Sequence, residues 1–227
     1  MTVKEAYIYI QQGVQAIASF AYANVQLQEL DYNWNYCTDL FIQLAFPDKY
    51  AVQKPEKYQD VQASIDDLKI LEVLGNTNTL LTTTIGSYPV SYITLPENYR
   101  HLLNDSTLVK PLNCDTTREV PNRLTETEDI KTILENSIFK TSQESPISHL
   151  SGNNLYVYNF YKNTKQFDIE AIYMDYLAKP TKVAFGNNGS TVLQFPDQTC
   201  FKIIKTAIIY MSIIAEQNPN KIQLLKQ

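Results

Sequence analysis

The sequence predicts an α+β fold, with N-terminal helices and a C-terminal helix packed on a mainly antiparallel β-sheet. Three observations carry this expectation. Apolar residues recur at helical spacing from Val3 to Leu68 and again after Pro196, whereas the middle of the chain is rich in β-branched and aromatic residues. Two middle runs, "NLYVYNFY" and "FDIEAIYMDYL", are separated by the five-residue stretch "KNTKQ", a hairpin signature. The two textures are segregated along the chain rather than interleaved, which separates α+β from parallel α/β architecture. The 227 residues are expected to form a single domain, with a helical part over 1–75, a mainly β part over 76–195 and a C-terminal helix and tail over 196–227.

The elements follow in order. Thr2 and Glu5 make a capping box, and Val3, Tyr7, Ile10, Val14, Ile17 and Ala21 form one apolar stripe, predicting a long helix over Thr2–Leu30 with a glutamine-rich opposite face. Trp34, Cys37, Phe41 and Leu44 predict a second helix over Asn33–Phe46, ended by Pro47. Pro55 opens a third, to Leu68, since proline suits a first helical turn. "LKILEVL" and "LTTTIGSYPVSYITL" read as strands, Asn154–Tyr161 and Phe167–Leu177 as a paired hairpin, and Thr125 as the cap of a short helix over a Glu128 box.

The last helix, from Pro196-Asp197 to Gln217, is apolar nearly all round. Its polar stripe of Lys202, Lys205, Ser212 and Glu216 is narrow and interrupted by Ile209. Phe201, Ile204, Ile208 and Met211 form one apolar stripe; Ile203, Ala207 and Ile214 form another. One stripe can face the chain's own sheet, and the other needs cover. Phe201, Ile204, Ile208, Met211 and Ile214 are therefore candidate oligomer-interface residues. The lysines and the shortness of the apolar run argue against a membrane span.

Composition narrows the function classes. A net charge of −5 with scattered lysines offers no basic face for gripping nucleic acid. Six glycines leave little room for a nucleotide-cradling loop, and "FGNNGS" lacks the Lys-Ser/Thr ending of one, reading better as an Asn-Gly turn. Three widely spaced cysteines and two histidines supply no metal-ligand spacing, so reduced thiols, no metal and no cofactor are expected. Sixteen tyrosines against one tryptophan suit surfaces that a partner covers. The start "MTVKEAYIYIQQ" lacks a basic segment followed by an apolar core, and the expectation is an intracellular product without a signal peptide.

The stretch "SYITLPENYRHLL" gathers Glu97, Tyr99, Arg100 and His101 within five positions and is the strongest candidate site. As chemistry, His101 would need an orienting carboxylate and a nucleophile or metal, and none is recognisable nearby. As structure, Pro96 ends a strand and suits a first helical turn, Glu97 suits the positive end of that turn, and Leu95, Tyr99 and Leu103 share a side at i, i+4 and i+8. The stretch is read as a structural joint built on Leu95, Pro96 and Tyr99, with no catalytic residues. Asp66-Asp67 and the acids of "ETED" read as solvated helix acids, and His149 as a loop residue.

The order of several short motifs resembles that of small head-to-tail connector proteins of crAss-like and related tailed bacteriophages. These are Leu95-Pro96-Glu97-Asn98-Tyr99; then Pro146, Leu150, Gly152, Leu155, Val157 and Tyr158; then Tyr176-Leu177-Ala178-Lys179-Pro180-Thr181-Lys182-Val183; and last Phe195-Pro196-Asp197. The similarity spans most of the chain, while Leu103–Arg123 matches no part of the pattern. The resemblance implies a structural virion protein in the neck, made in the host bacterial cytoplasm. It implies assembly with copies of itself as a ring, usually twelvefold, against the portal protein and other neck or tail proteins, with DNA only passing through the lumen. The rival expectations are a virion-associated hydrolase using Glu97 or His101, and a fibre-type binding module using the tyrosine surfaces.

Overall fold

The computed structural model describes residues 1–17, 25–45, 66–85, 88–112, 114–126, 128–135, 140–161, 164–184 and 191–217. The fold is α+β, with helices and mainly antiparallel sheets. It forms two compact units, one of Met1–Leu71 with Pro180–Gln227 and the other of Glu72–Lys179. The expected Pro55 helix start, the Pro47 helix end and the Phe185–Ser190 turn lie outside the described residues.

In the first unit, helix α1 (Val3–Ile17) begins at the predicted capping box. Thr2 N donates to Glu5 Oε2 at 2.8 Å, and Glu5 N donates to Thr2 Oγ1 at 3.3 Å. Its buried stripe is Val3, Ala6, Tyr7, Ile10 and Val14, and it stops there, because Ile17 is 59% exposed. The single helix over Thr2–Leu30 does not form: residues 25 and 26 are non-helical, and a separate helix α2 spans Leu27–Ala45. The Gln26 carbonyl accepts from Glu29 N and Leu30 N to start α2. Leu30 belongs with Trp34 and Cys37 at helical spacing, so α2 starts well before the predicted Asn33. Ile42 is fully buried, and Leu44 is exposed instead of sharing the Trp34 side.

The run "LKILEVL" is also not one strand. Residues 66–68 are helical, Lys69–Leu71 is a 3-10 turn, and the strand is only Glu72–Asn76.

In the second unit, eleven strands occur among the described residues: β1 (Glu72–Asn76), β2 (Leu81–Ile85), β3 (Tyr88–Thr94), β4 (Tyr99–Pro111), β5 (Arg118–Pro121), β6 (Arg123–Leu124), β7 (Ile147–Ser151), β8 (Asn154–Tyr158), β9 (Phe160–Tyr161), β10 (Thr164–Lys165) and β11 (Phe167–Ala178). A short helix, α3 (Ile130–Glu135), precedes β7. One sheet has the order β1-β11-β4-β5 and the other β2-β3-β8-β7-β6; β9 pairs only with β10. Every described pair is antiparallel except β6 with β7.

The two sheets share a core. Ile93 and Leu95, Leu155 and Val157 from one sheet meet Ile172, Met174, Tyr176 and Ala178 from the other, each set alternating with period two. On the second face of the five-stranded sheet, Ile130 and Leu134 of α3 cover Val90, Ile147 and Tyr158.

The predicted hairpin of Asn154–Tyr161 with Phe167–Leu177 is therefore overturned. β8 pairs with β3 and β7, whereas β11 pairs with β4 and β1 in the other sheet. The buried Asn159 turns the chain: its Nδ2 donates to Phe167 O at 2.9 Å, and its carbonyl accepts from Gln166 N at 2.8 Å. The Thr125 cap is likewise replaced. Thr125 N donates to Ser148 O beside the β6–β7 ladder, so its backbone is spent there, and α3 starts at Ile130.

The last helix, α4 (Asp197–Gln217), contacts both α1 and α2. That explains its wide apolar circumference: Ile203, Ile204, Ala207 and Met211 are buried within the chain. Gly13 of α1 packs against Ile208 of α4. A Cβ there would overlap Ile208 Cδ1 and stand 2.9 Å from Ile208 Cγ1.

Gly13→Ala is thus expected to lower stability, since overpacking costs about 1–3 kcal/mol and exceeds the roughly 1 kcal/mol gained in helix propensity. With Ile208→Ala already in place the obstacle is gone, and the same change should become stabilising. A denaturant double-mutant cycle checks the reversal of sign.

Candidate functional site

The joint read from sequence lies where the chain leaves one sheet for the other. β3 ends at Thr94 in the five-stranded sheet, and β4 begins at Tyr99 in the four-stranded one. Leu95 is buried in the shared core, and its N–H donates to Asn153 O at 2.9 Å. Tyr99 N donates to Pro96 O at 2.9 Å, closing a turn over Glu97 and Asn98. The expected helical step is therefore a tight turn into a strand, and Leu103, in β4, is exposed rather than aligned with Leu95 and Tyr99. With Tyr99 already committed to the β4–β11 ladder, opposite Ala178, no helix can continue.

The turn is held by the end of β11. Tyr176 Oη donates to Asn98 Oδ1 at 3.0 Å, Lys179 N to Asn98 O at 2.6 Å, and Lys179 Nζ to Glu97 O at 3.2 Å. The Tyr99 and Tyr176 rings pack with centroids 5.9 Å apart. Two stretches far apart in sequence, Leu95–Tyr99 and Tyr176–Lys179, thus form one corner. Burial pushes the Tyr99 phenol up, with a smaller push from Asp105. Glu97 is exposed and contributes its carbonyl to the corner. His101 lies in β4 opposite Leu177; burial, then the Arg100 charge, lowers its pKa.

The other sequence candidates separate. Asp66 pairs with Lys69 at 2.7 Å, while Asp67 accepts from Thr199 Oγ1 at 3.0 Å and pairs with Lys202. Cys37 and Cys200 are buried thiols pushed up to about 11 by burial, and Cys114 is an exposed thiol. A cavity of about 340 Å³ is lined by Asp105, Glu119 and Asp175 among others, but these carboxylates accept from Asn122 Nδ2, Ser106 Oγ and Gly75 N, respectively. Among the described residues, no group of three or more His, Cys, Asp or Glu could hold a metal ion, and no helix is long and apolar enough to cross a membrane.

His149 is not a loop residue. It lies in β7, buried, with its ring stacked on Tyr156 at 4.9 Å and Tyr158 at 5.4 Å. Its Nδ1 and the Tyr158 hydroxyl make no hydrogen bond. A polar run, "SPISHLSGNN", hid this strand; the signal was Gly152, whose φ of 58° fits the tight turn joining β7 to β8. Of the five candidate interface residues, Ile204 and Met211 are buried, Ile208 packs against Gly13 and Ile214 is half-buried. Phe201 is 44% exposed and meets the Tyr9 ring edge-on at 5.5 Å. On α4, Phe201, Ile209 and Ile213 are exposed, with the exposed Lys205 between the first two.

The chain matches no protein-family model and no curated protein.

Tyr99→Ala is expected to lower stability by about 1–4 kcal/mol through loss of a packed ring. Tyr176→Phe should cost about 0.5–1.5 kcal/mol for one hydrogen bond. Chemical denaturation reads both. For His149, burial holds the folded-state pKa below its ordinary value of about 6.5. The unfolded chain therefore takes up the proton first, and this contribution to stability is lost as pH falls below about 6.5 towards the depressed value. His149→Phe keeps the stack and removes the titration. The wild type should lose stability relative to this variant as pH falls below about 6.5, as read by denaturation midpoints.

Proposed function

We propose that this chain is a structural virion protein of a tailed bacteriophage, a ring-forming head-to-tail connector that joins portal to tail and leaves a channel for DNA. The observation that carries this reading is the corner itself. Leu95–Tyr99 fits together, through main-chain and tyrosine contacts, with Tyr176–Lys179, the start of the motif Tyr176–Val183; the order of these motifs resembles connector proteins. Contacts of this kind support an architectural role for the corner. The helical unit adds surface for neighbours: Phe201, Ile209 and Ile213 on α4, with Ile8, Tyr9 and Tyr32, are exposed. Exposed apolar side chains of this kind, with Phe201 and Tyr9 in contact, suit heterologous contacts around a ring. The net charge of −5 suits a lumen that lets phosphates slide past.

Negative-stain imaging of the purified protein and of virion necks tests the reading. Closed rings are expected, with Glu97→Gln and His101→Ala assembling as the wild type does. Ile209→Asp and Ile213→Asp should leave a folded subunit that no longer joins rings, whereas Ile208→Asp should unfold it, because that side chain packs against Gly13. A trimer on a fibre, or a turnover abolished by Glu97→Gln or His101→Ala in a folded protein, would replace this reading.

A further inference from the structure

The two main sheets have four edge strands, and three of these carry a feature that discourages pairing with another chain. β1 carries Glu72 and a register shift between Val73 and Asn76, with Gly75 at φ 60°. β5 carries Arg118, Glu119 and Pro121, and β6 is two residues long and begins with Arg123. β2 has none of these. It reads Leu81-Thr82-Thr83-Thr84-Ile85, without charge, proline or bulge, in unbroken register with β3 from Leu81↔Tyr92 to Ile85↔Tyr88. All five of its residues are exposed, and among the described residues no strand lies on its outer side.

The main-chain groups on that outer side follow from β3. Thr84 lies opposite Pro89, which has no N–H, so this pair is the one that exchanges no bonds. By alternation, Thr82 and Thr84 direct their N–H and C=O groups towards the open edge.

We infer that β2 is a homotypic pairing edge that takes the β2 of a second copy of this chain, antiparallel and centred on Thr83. The pattern is self-complementary in that register. Thr82 meets Thr84 of the copy, so the outward groups of each exchange two hydrogen bonds, and the two-fold axis repeats the exchange. Leu81 meets Ile85 on one face and Thr83 meets Thr83, so apolar opposes apolar, threonine opposes threonine, and no charge is desolvated. Pairing of β2 with any other edge of a copy would meet the charges, proline or bulge described above. A two-fold contact makes a dimer and cannot by itself close a ring. The inference therefore concerns the free chain and stands apart from the connector reading.

The test uses the full chain with Cys114→Ser, to remove its exposed thiol. Sedimentation over micromolar to hundreds-of-micromolar concentration should show a monomer–dimer equilibrium. Thr83→Lys places two ammonium groups opposite each other and should raise the dimer Kd tenfold or more, with an unchanged circular dichroism spectrum. Thr83→Cys should form a disulfide-linked dimer under mild oxidation, because facing residues of a non-bonded antiparallel pair bring their Cα atoms to about 4.5 Å. Thr82→Cys and Thr84→Cys should each fail alone and cross-link when mixed. A monomer throughout the range, a dimer indifferent to Thr83→Lys, or equal cross-linking at 82, 83 and 84 would overturn the inference. Failure here would leave the ring images, and the Ile209 and Ile213 variants, to judge the connector reading separately.

Discussion

The β unit depends on one constraint: its chain crosses between two sheets, and every crossing takes backbone groups out of a ladder at the margin of a shared core. Four crossings occur among the described strands, at β1–β2, β3–β4, β5–β6 and β8–β11. An asparagine side chain serves each one. Asn78 Nδ2 donates to Thr94 O, Asn98 Oδ1 accepts from Tyr176 Oη, and Asn159 Nδ2 donates to Phe167 O. Asn122 donates to Asp105 Oδ2 and accepts from Thr107 Oγ1, both at 2.7 Å. An amide is well suited to this work, because it carries donor and acceptor together: Asn78 and Asn159 reach backbone carbonyls, while Asn98 and Asn122 bond to side chains. A buried backbone group left without one would cost about 1–3 kcal/mol.

The helical unit meets a different constraint. α4 contacts two helices, and its circumference is apolar for that reason. Close packing at Gly13 lets Ile208 sit against the α1 backbone, while the Tyr7 hydroxyl donates to Asp31 to tie α1 to α2. Burial, and then Asp31, pushes the Tyr7 phenol well above its ordinary value, so it stays the donor in this contact. The Tyr36 and Tyr210 rings, 4.7 Å apart, continue the α2–α4 contact towards the surface.

Local signals were legible in the sequence, and long-range pairing was not. The Thr2–Glu5 box, the stripe from Val3 to Val14 and the helix after Pro196 are visible because their partners lie within a few residues. The fold class followed from the same kind of signal. The pairing of β11 with β4 was hidden, because hairpin logic joins a strand to its nearest neighbour, whereas the amide of Asn159 turns the chain to the other sheet. The β7 strand was hidden by Ser148 and His149, polar residues that a sheet buried on both faces accommodates at 0% and 3% exposure. At the joint, Leu95 and Tyr99 were legible as packing residues. The turn was mistaken for a helical step because Pro96 suits both, and only the partner strand opposite Tyr99 decides between them.

What these constraints leave outside is as informative as what they enclose. Polar side chains at the corners are spent on the fold: Asn98, Asn122 and Asn159 each satisfy a named partner. Among the described residues, the main-chain edge of β2 and the Phe201, Ile209 and Ile213 side chains of α4 stay exposed. Neither is built on charge, so neither is weakened by salt in the manner of a steered ionic contact. Of these two surfaces, the α4 side chains alone bear on the connector proposal, because the two-fold pairing proposed for the β2 edge makes a dimer and not a ring.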